Sequence, residues 1–111
     1  MTDLATKTCV PCRGGVPPLA KTEAEGYLRE APGWALQDDA TRIERRFKLK
    51  NFKEALALVH RIGALAEDEG HHPDITFGWG YVTVSLHTHK IKGLHENDFI
   101  MAAKINRLAE A

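Results

Sequence analysis

The 111 residues predict an α+β domain in which a four-stranded antiparallel sheet carries three helices packed on one face. Three observations lead there. Residues 41–49 and 75–88 alternate apolar and polar side chains, the two-residue period of half-buried strands. From Asn51 onward, apolar residues instead recur at three- and four-residue spacing. The order of patterns is helix, two strands, helix, two strands, helix, and hairpins separated by helices pack as an antiparallel sheet covered on one side rather than as a parallel doubly wound sheet. A chain of 12.3 kDa supports one hydrophobic core, since two would each bury too little apolar surface.

Residues 1–18 show no apolar period and end in Gly14-Gly15-Val16-Pro17-Pro18, so they read as a flexible or loosely docked N-terminal arm before a domain spanning 19–111. Thr22 and Glu25 have capping-box spacing and open a short helix that Pro32-Gly33 stops. Trp34–Gln37 and Thr41–Leu49 flank Asp38-Asp39-Ala40 as a hairpin, with Ile43, Phe47 and Leu49 on one face. Asn51 caps the longest helix with Glu54 at its third position; Phe52, Ala55, Leu56, Val59, Ile62 and Ala66 form its stripe, and Gly70 ends it in the left-handed conformation. Ile75, Phe77 and Trp79 alternate ahead of a strand from Tyr81 to Thr88, with Gly78 and Gly80 permitting a bend. In that strand Val82, Val84 and Leu86 face one side, while Thr83, Ser85, His87 and His89 face the other. The last helix starts near Glu96 and buries Phe99, Ala102, Ile105 and Ala109.

Composition excludes several classes of function. Fifteen basic residues balance 15 acidic ones, leaving no cationic field for nucleic acid or anionic lipid. No apolar run reaches membrane-spanning length and no signal-peptide pattern opens the chain, so a cytoplasmic protein is expected. Cys9 and Cys12 form a C-x-x-C, but two sulfurs do not complete a structural zinc shell, and Pro11, Arg13, Gly14 and Gly15 make an irregular context for a redox pair.

Five of the six histidines lie between His71 and His95. His71 and His72 follow the end of the long helix, where the dipole and Glu67, Asp68 and Glu69 favour a protonated ring, a state suited to general acid catalysis. Pro73 holds His72 extended, so the two adjacent rings point in different directions. Glu67 lies one helical turn before His71 and is placed to hydrogen-bond it or to meet a ligand beside it. His89 closes a strand, and Asp98 falls in the first turn of the last helix, where the dipole favours a carboxylate with or without a function. Taken alone, His-His-Pro fits a polar turn as well as a site. Strand parity puts a pocket containing His89 on the polar sheet face or beyond the strand end; Ser85 and His87 share that parity and could line the same pocket, but polar strand surface is the favoured reading and they stand outside the core site.

The pattern Glu67-x3-His71-His72-Pro73-x5-Trp79-x9-His89-x8-Asp98 resembles the signature of the pterin-4a-carbinolamine dehydratases. Thr88-His89-Lys90-Ile91-Lys92-Gly93-Leu94 and Asn97-Asp98-Phe99 resemble its bacterial branch, and the likeness runs from about Leu19 to Leu108. The resemblance implies a four-stranded antiparallel sheet with three helices and a homodimer or homotetramer. It also implies loss of water from a 4a-hydroxytetrahydropterin to give a quinonoid dihydropterin, without metal or other cofactor. By motif position His71 and His89 look like the acid/base pair, His72 like a binding and proton-transfer partner, and Glu67 and Asp98 like residues that bind or orient the ring or the histidines. An aromatic amino acid hydroxylase is the implied source of substrate.

Two other classes remain open to these residues. His87-Thr88-His89 has the spacing of two metal ligands on one strand, with Glu96 as the available third, although that glutamate is far along the chain for the H-x-H motif of cupins. Dehydratase-like chains also resemble binding proteins: a Rubisco assembly factor of carboxysomes and a dimerisation cofactor of a transcription factor. Retention of Glu67, His71 and His89 together favours catalysis.

Overall fold

The computed structural model describes residues 4–10 and 17–110. A 3-10 turn, Leu4–Thr6, precedes α1 (Lys21–Leu28), β1 (Ala35–Gln37), β2 (Arg42–Lys48), α2 (Phe52–Glu69), β3 (Asp74–Gly78), β4 (Tyr81–Leu86), a second 3-10 turn (His89–Ile91) and α3 (Glu96–Glu110). The sheet runs β1-β2-β4-β3 with every neighbouring pair antiparallel. This is the α+β architecture expected from the order of patterns.

Pairing register explains the core. Ile43 lies opposite Leu86 and Phe47 opposite Val82, so the apolar members of both central strands fall on one face. Against that face stand Ala55, Leu58, Ile62 and Ala66 of α2 and Phe99, Ala102 and Ile105 of α3, all buried. The ends of α2 follow from its sequence: Asn51 accepts a hydrogen bond from the Glu54 N–H at 2.9 Å, and Gly70 closes the helix at φ 66°.

Several boundaries differ from expectation. Helix α1 starts at Lys21, and its reach-back comes from Glu23, whose carboxylate accepts the Ala20 N–H at 2.8 Å, so Thr22 and Glu25 do not form the capping pair. The inward line of α2 runs through Leu58 instead of Phe52 and Leu56; Phe52 is 47% exposed and packs against Phe77 at the sheet rim with the rings tilted 35°, 5.5 Å between ring centres. Trp79 is not in a strand. It sits 72% exposed in a two-residue turn that Gly80 closes at φ 82°. Strand β4 stops at Leu86 because Thr88 pairs with Gly93, and the chain turns tightly between them; His89 therefore begins a 3-10 turn rather than closing a strand.

The arm expected over residues 1–18 contains a docked segment. Leu4 is buried in the core, the Cys9 N–H donates to Glu69 Oε1 at 2.8 Å, and Val10 exchanges backbone hydrogen bonds with the Asn97 amide at 3.0 and 2.6 Å. Lys7 pairs with Glu96 at 2.7 Å. These anchors lie 60 to 89 residues away along the chain, beyond any local period. Cys12 lies outside the described residues. Burial, with the Glu69 carboxylate adding to it, pushes the Cys9 thiol up to about 12, which keeps it protonated and a poor nucleophile.

Two outcomes follow. Gly70→Ala, forcing a Cβ onto a left-handed residue with no steric neighbour, should lower stability to urea by about 1–2 kcal/mol, whereas Gly63→Ala inside α2, with equally open space, should raise it by about 0.5–1 kcal/mol. A loss of equal size at both positions would contradict the helix end assigned to Gly70. In a Cys12→Ser variant, Cys9 should react with iodoacetamide at pH 8 more than about a hundredfold slower than glutathione; a comparable rate would mean the arm does not bury it.

Candidate active site

Asp98 is the third residue of α3, and its position there is a consequence of how the helix starts. His95 acts as the N-cap: its Nδ1 accepts the Asn97 N–H at 3.1 Å, while Asp98 Oδ2 accepts the His95 N–H at 3.0 Å. Together the two bonds cap the start of the helix, the His95 ring serving the Asn97 N–H and the third-position carboxylate reaching back to the His95 N–H as in half of a capping box. The same Oδ2 accepts the Thr88 hydroxyl at 2.8 Å, and Oδ1 meets His71 Nε2 at 2.6 Å. Asp98 is 0% exposed, so these three donors replace the water it has lost.

The partner fixes the chemistry of His71. A carboxylate accepts, so the His71 hydrogen sits on Nε2, and Nδ1 is the nitrogen left for a ligand. Only 11% of the His71 side chain is exposed, which holds the ring in one orientation. The left-handed turn at Gly70 breaks the helical phase between Glu67 and His71. Glu67 consequently meets His72, with Oε2 and Nε2 2.5 Å apart at the exposed rim, and the expected bond from Glu67 to His71 is replaced by the one from Asp98.

His71 and His72 open onto a cleft of about 380 Å³ whose other walls are Gly70, His87, Thr88, His89 and Lys90. The cleft lies beyond the end of β4, one of the two places strand parity allowed. Across it, His87 Nε2 and His89 Nδ1 are 3.1 Å apart, with ring centres separated by 4.0 Å. The structure thus brings His71, His72 and His89 to one cavity. Asp98 stands behind His71, outside the wall, and Glu67 stands behind His72.

Three further residues stand at this site beyond the core set expected from the sequence. His87, which strand parity allows in the pocket but which reads as strand surface, lies one residue past the end of β4 with its ring turned to His89; its H-x-H spacing with His89 is the signal in the sequence. Thr88 and His95 act through Asp98, and no local pattern marks a hydroxyl and a backbone N–H that converge on a carboxylate. Ser85 stays on the sheet, where it accepts from Arg42 Nη1 at 2.8 Å. Glu96, the third ligand of the metal reading, is bound to Lys7 instead, and among the described residues no three His, Cys, Asp or Glu side chains come together as a metal site.

Comparison with known proteins agrees with this architecture. The family described as pterin 4 alpha carbinolamine dehydratase matches residues 17–108. A Cupriavidus pinatubonensis protein provisionally named pterin-4-alpha-carbinolamine dehydratase 1 is 60% identical over 96% of this chain and 91% of its own length. One from Azoarcus with a similar provisional name is 57% identical over 98% and 93%. Among solved structures, a Brucella melitensis protein described as a transcriptional coactivator/pterin dehydratase superposes with a TM-score of 0.78 at 35% identity, covering 83% of this chain and 98% of that one. A pterin dehydratase-like protein described as a RuBisCO assembly factor in the alpha-carboxysome superposes at 0.62 with 28% identity, covering 71% and 92%. A matched segment that takes in the cleft, together with relatives more than half identical over nearly the whole length, places the chain in the pterin 4 alpha carbinolamine dehydratase family.

Proposed function

We propose that this protein is a hydro-lyase that eliminates water from a 4a-hydroxytetrahydropterin, the 4a-carbinolamine, to give a quinonoid dihydropterin. The observation that carries the reading is a single cleft walled by four imidazoles, one of them backed by a buried carboxylate. Family membership and the names of the relatives support it.

Two proton transfers are required. The N5–H bond gives its electrons to a new N5=C4a double bond, and its proton must be taken; the C4a–O bond breaks towards oxygen, which needs a proton to leave as water. His71 Nδ1 suits the first transfer, because Asp98 orients the ring and stabilises the imidazolium that forms. His89 suits the second: its Nδ1 is held by His87, which leaves Nε2 for the departing hydroxyl. His72, at the exposed rim with Glu67, binds the ring and exchanges protons with solvent. Asp98 and Glu67 are positioning residues here, one behind each histidine. No redox change occurs, and the imidazoles suffice without a cofactor.

A binding role in a homodimer or homotetramer, or towards a larger partner, is a second reading. It is favoured by the exposed Trp79, Phe52 and Leu56 and by the description of one solved relative as a transcriptional coactivator and of another as a RuBisCO assembly factor, and it is compatible with catalysis.

The direct test supplies 4a-hydroxytetrahydrobiopterin and follows quinonoid product by absorbance. The protein should accelerate dehydration over the spontaneous rate, and His71→Ala or His89→Ala should each lower that acceleration by about two to four orders of magnitude. This corresponds to about 3–5 kcal/mol of barrier. A wild type that gives no acceleration, or two variants as fast as wild type, would sink the proposal.

A further inference from the structure

The segment matched by the family begins at residue 17, yet residues 4–10, which precede it, are tied to the place where His71 meets Asp98. The 3-10 turn Leu4–Thr6 packs on α3 and buries Leu4. Beyond it, two successive residues each take a side chain from a different helix end. The Cys9 N–H donates to Glu69 Oε1 at 2.8 Å, at the end of α2. Val10 donates its N–H to Asn97 Oδ1 at 3.0 Å and accepts from Asn97 Nδ2 at 2.6 Å, at the start of α3. Glu69 stands two residues before His71 and Asn97 one before Asp98, and His71 and Asp98 are themselves 2.6 Å apart. The result is a closed ring of three short stretches, Glu69-Gly70-His71, Asp98-Asn97 and Val10-Cys9, joined end to end by hydrogen bonds. One side of the ring is the pair that orients His71. The opposite side is the arm.

We propose that the N-terminal arm is part of the catalytic apparatus, with Asn97 as the positioning residue through which residues 4–10 hold Asp98 against His71. The proposal rests on the dehydratase reading for the reaction itself. Burial makes the ring stiff: Asn97 is 2% exposed and the Glu69 side chain 8%, so neither trades the arm for water without loss. The second oxygen of Glu69 faces Lys104 of α3 at 3.6 Å, which ties the same two helices again. The Lys7–Glu96 pair is more exposed and holds the arm more weakly. Asn97 does not line the cleft, so its effect on the reaction passes through its neighbour Asp98. A base misplaced by about 1 Å can cost about a hundredfold in rate while the ring still binds.

Two variants of the full chain cut the link from opposite sides. Asn97→Ala removes both bonds to Val10 and leaves the helix backbone, including the Asn97 N–H held by His95, as it is. Val10→Pro removes the Val10 N–H at a residue whose side chain is 57% exposed, and alters neither helix. Each should lower kcat for dehydration by about ten- to a hundredfold, while KM and the affinity for 7,8-dihydrobiopterin stay within about threefold of wild type. That affinity reports a folded variant with its ring site intact. Independently of rate, the His71 Nε2–H proton resonance, shifted downfield by the bond to Asp98, should move upfield in both variants. Should Asn97→Ala fail to fold, Val10→Pro alone decides. A Val10→Pro variant as fast as wild type, an unmoved His71 resonance, or a loss of affinity in step with rate would overturn the inference and leave the dehydratase reading standing. Wild-type protein that gives no acceleration would overturn the dehydratase reading, and the catalytic role of the arm with it.

Discussion

A carboxylate taken wholly out of water needs a donor for each of its oxygens, and Asp98 obtains them from three separate parts of the chain. The His95 backbone is the start of α3, the Thr88 hydroxyl belongs to the segment after β4, and the His71 ring follows the end of α2. Oδ2 has two of these donors and Oδ1 only the His71 ring, so removing that ring would leave a buried acceptor unsatisfied, which typically costs about 1–3 kcal/mol. The three segments are therefore held together by one polar requirement, and the space between them is the cleft.

The same junction also seats the N-terminal arm. Glu69 receives the Cys9 N–H and Asn97 pairs with Val10, while His71, two residues past Glu69, and Asp98, next to Asn97, meet each other. The end of α2 and the start of α3 each give one side chain to the arm and one to the site. Glu69, held below the usual carboxylate range chiefly by the Cys9 N–H, serves the arm as an ionised acceptor. The arm thus acts as a brace beside the histidines, and the C-x-x-C needs no redox role to account for Cys9.

Elements with a long local period were legible in the sequence, and those decided by distant contacts were not. Asn51, Gly70 and the alternation of Val82, Val84 and Leu86 announced α2 and β4, because caps and strand parity are local physics. Phe52 and Leu56 fit the helical period equally well, and only the direction of the sheet decides that Leu58 points inward. The histidine cluster was visible as density along the chain, and the family pattern picked out His71, His72 and His89. Which carboxylate serves which histidine was not visible: spacing favoured Glu67 for His71, but one left-handed residue at Gly70 exchanged the partners. Thr88 and His95 were silent for the same reason, since their contribution exists only once Asp98 is buried among them.

The central claim is that Asp98 sets the tautomer of His71 and so presents Nδ1 to the cleft. Long-range 15N–1H correlation spectra of the histidine rings, taken at alkaline pH, read this directly. The account predicts a neutral His71 protonated on Nε2 in the wild type, and a mixture of tautomers in Asp98→Asn, whose side chain can donate as well as accept. A wild-type His71 protonated on Nδ1, or a tautomer unaffected by Asp98→Asn, would contradict it.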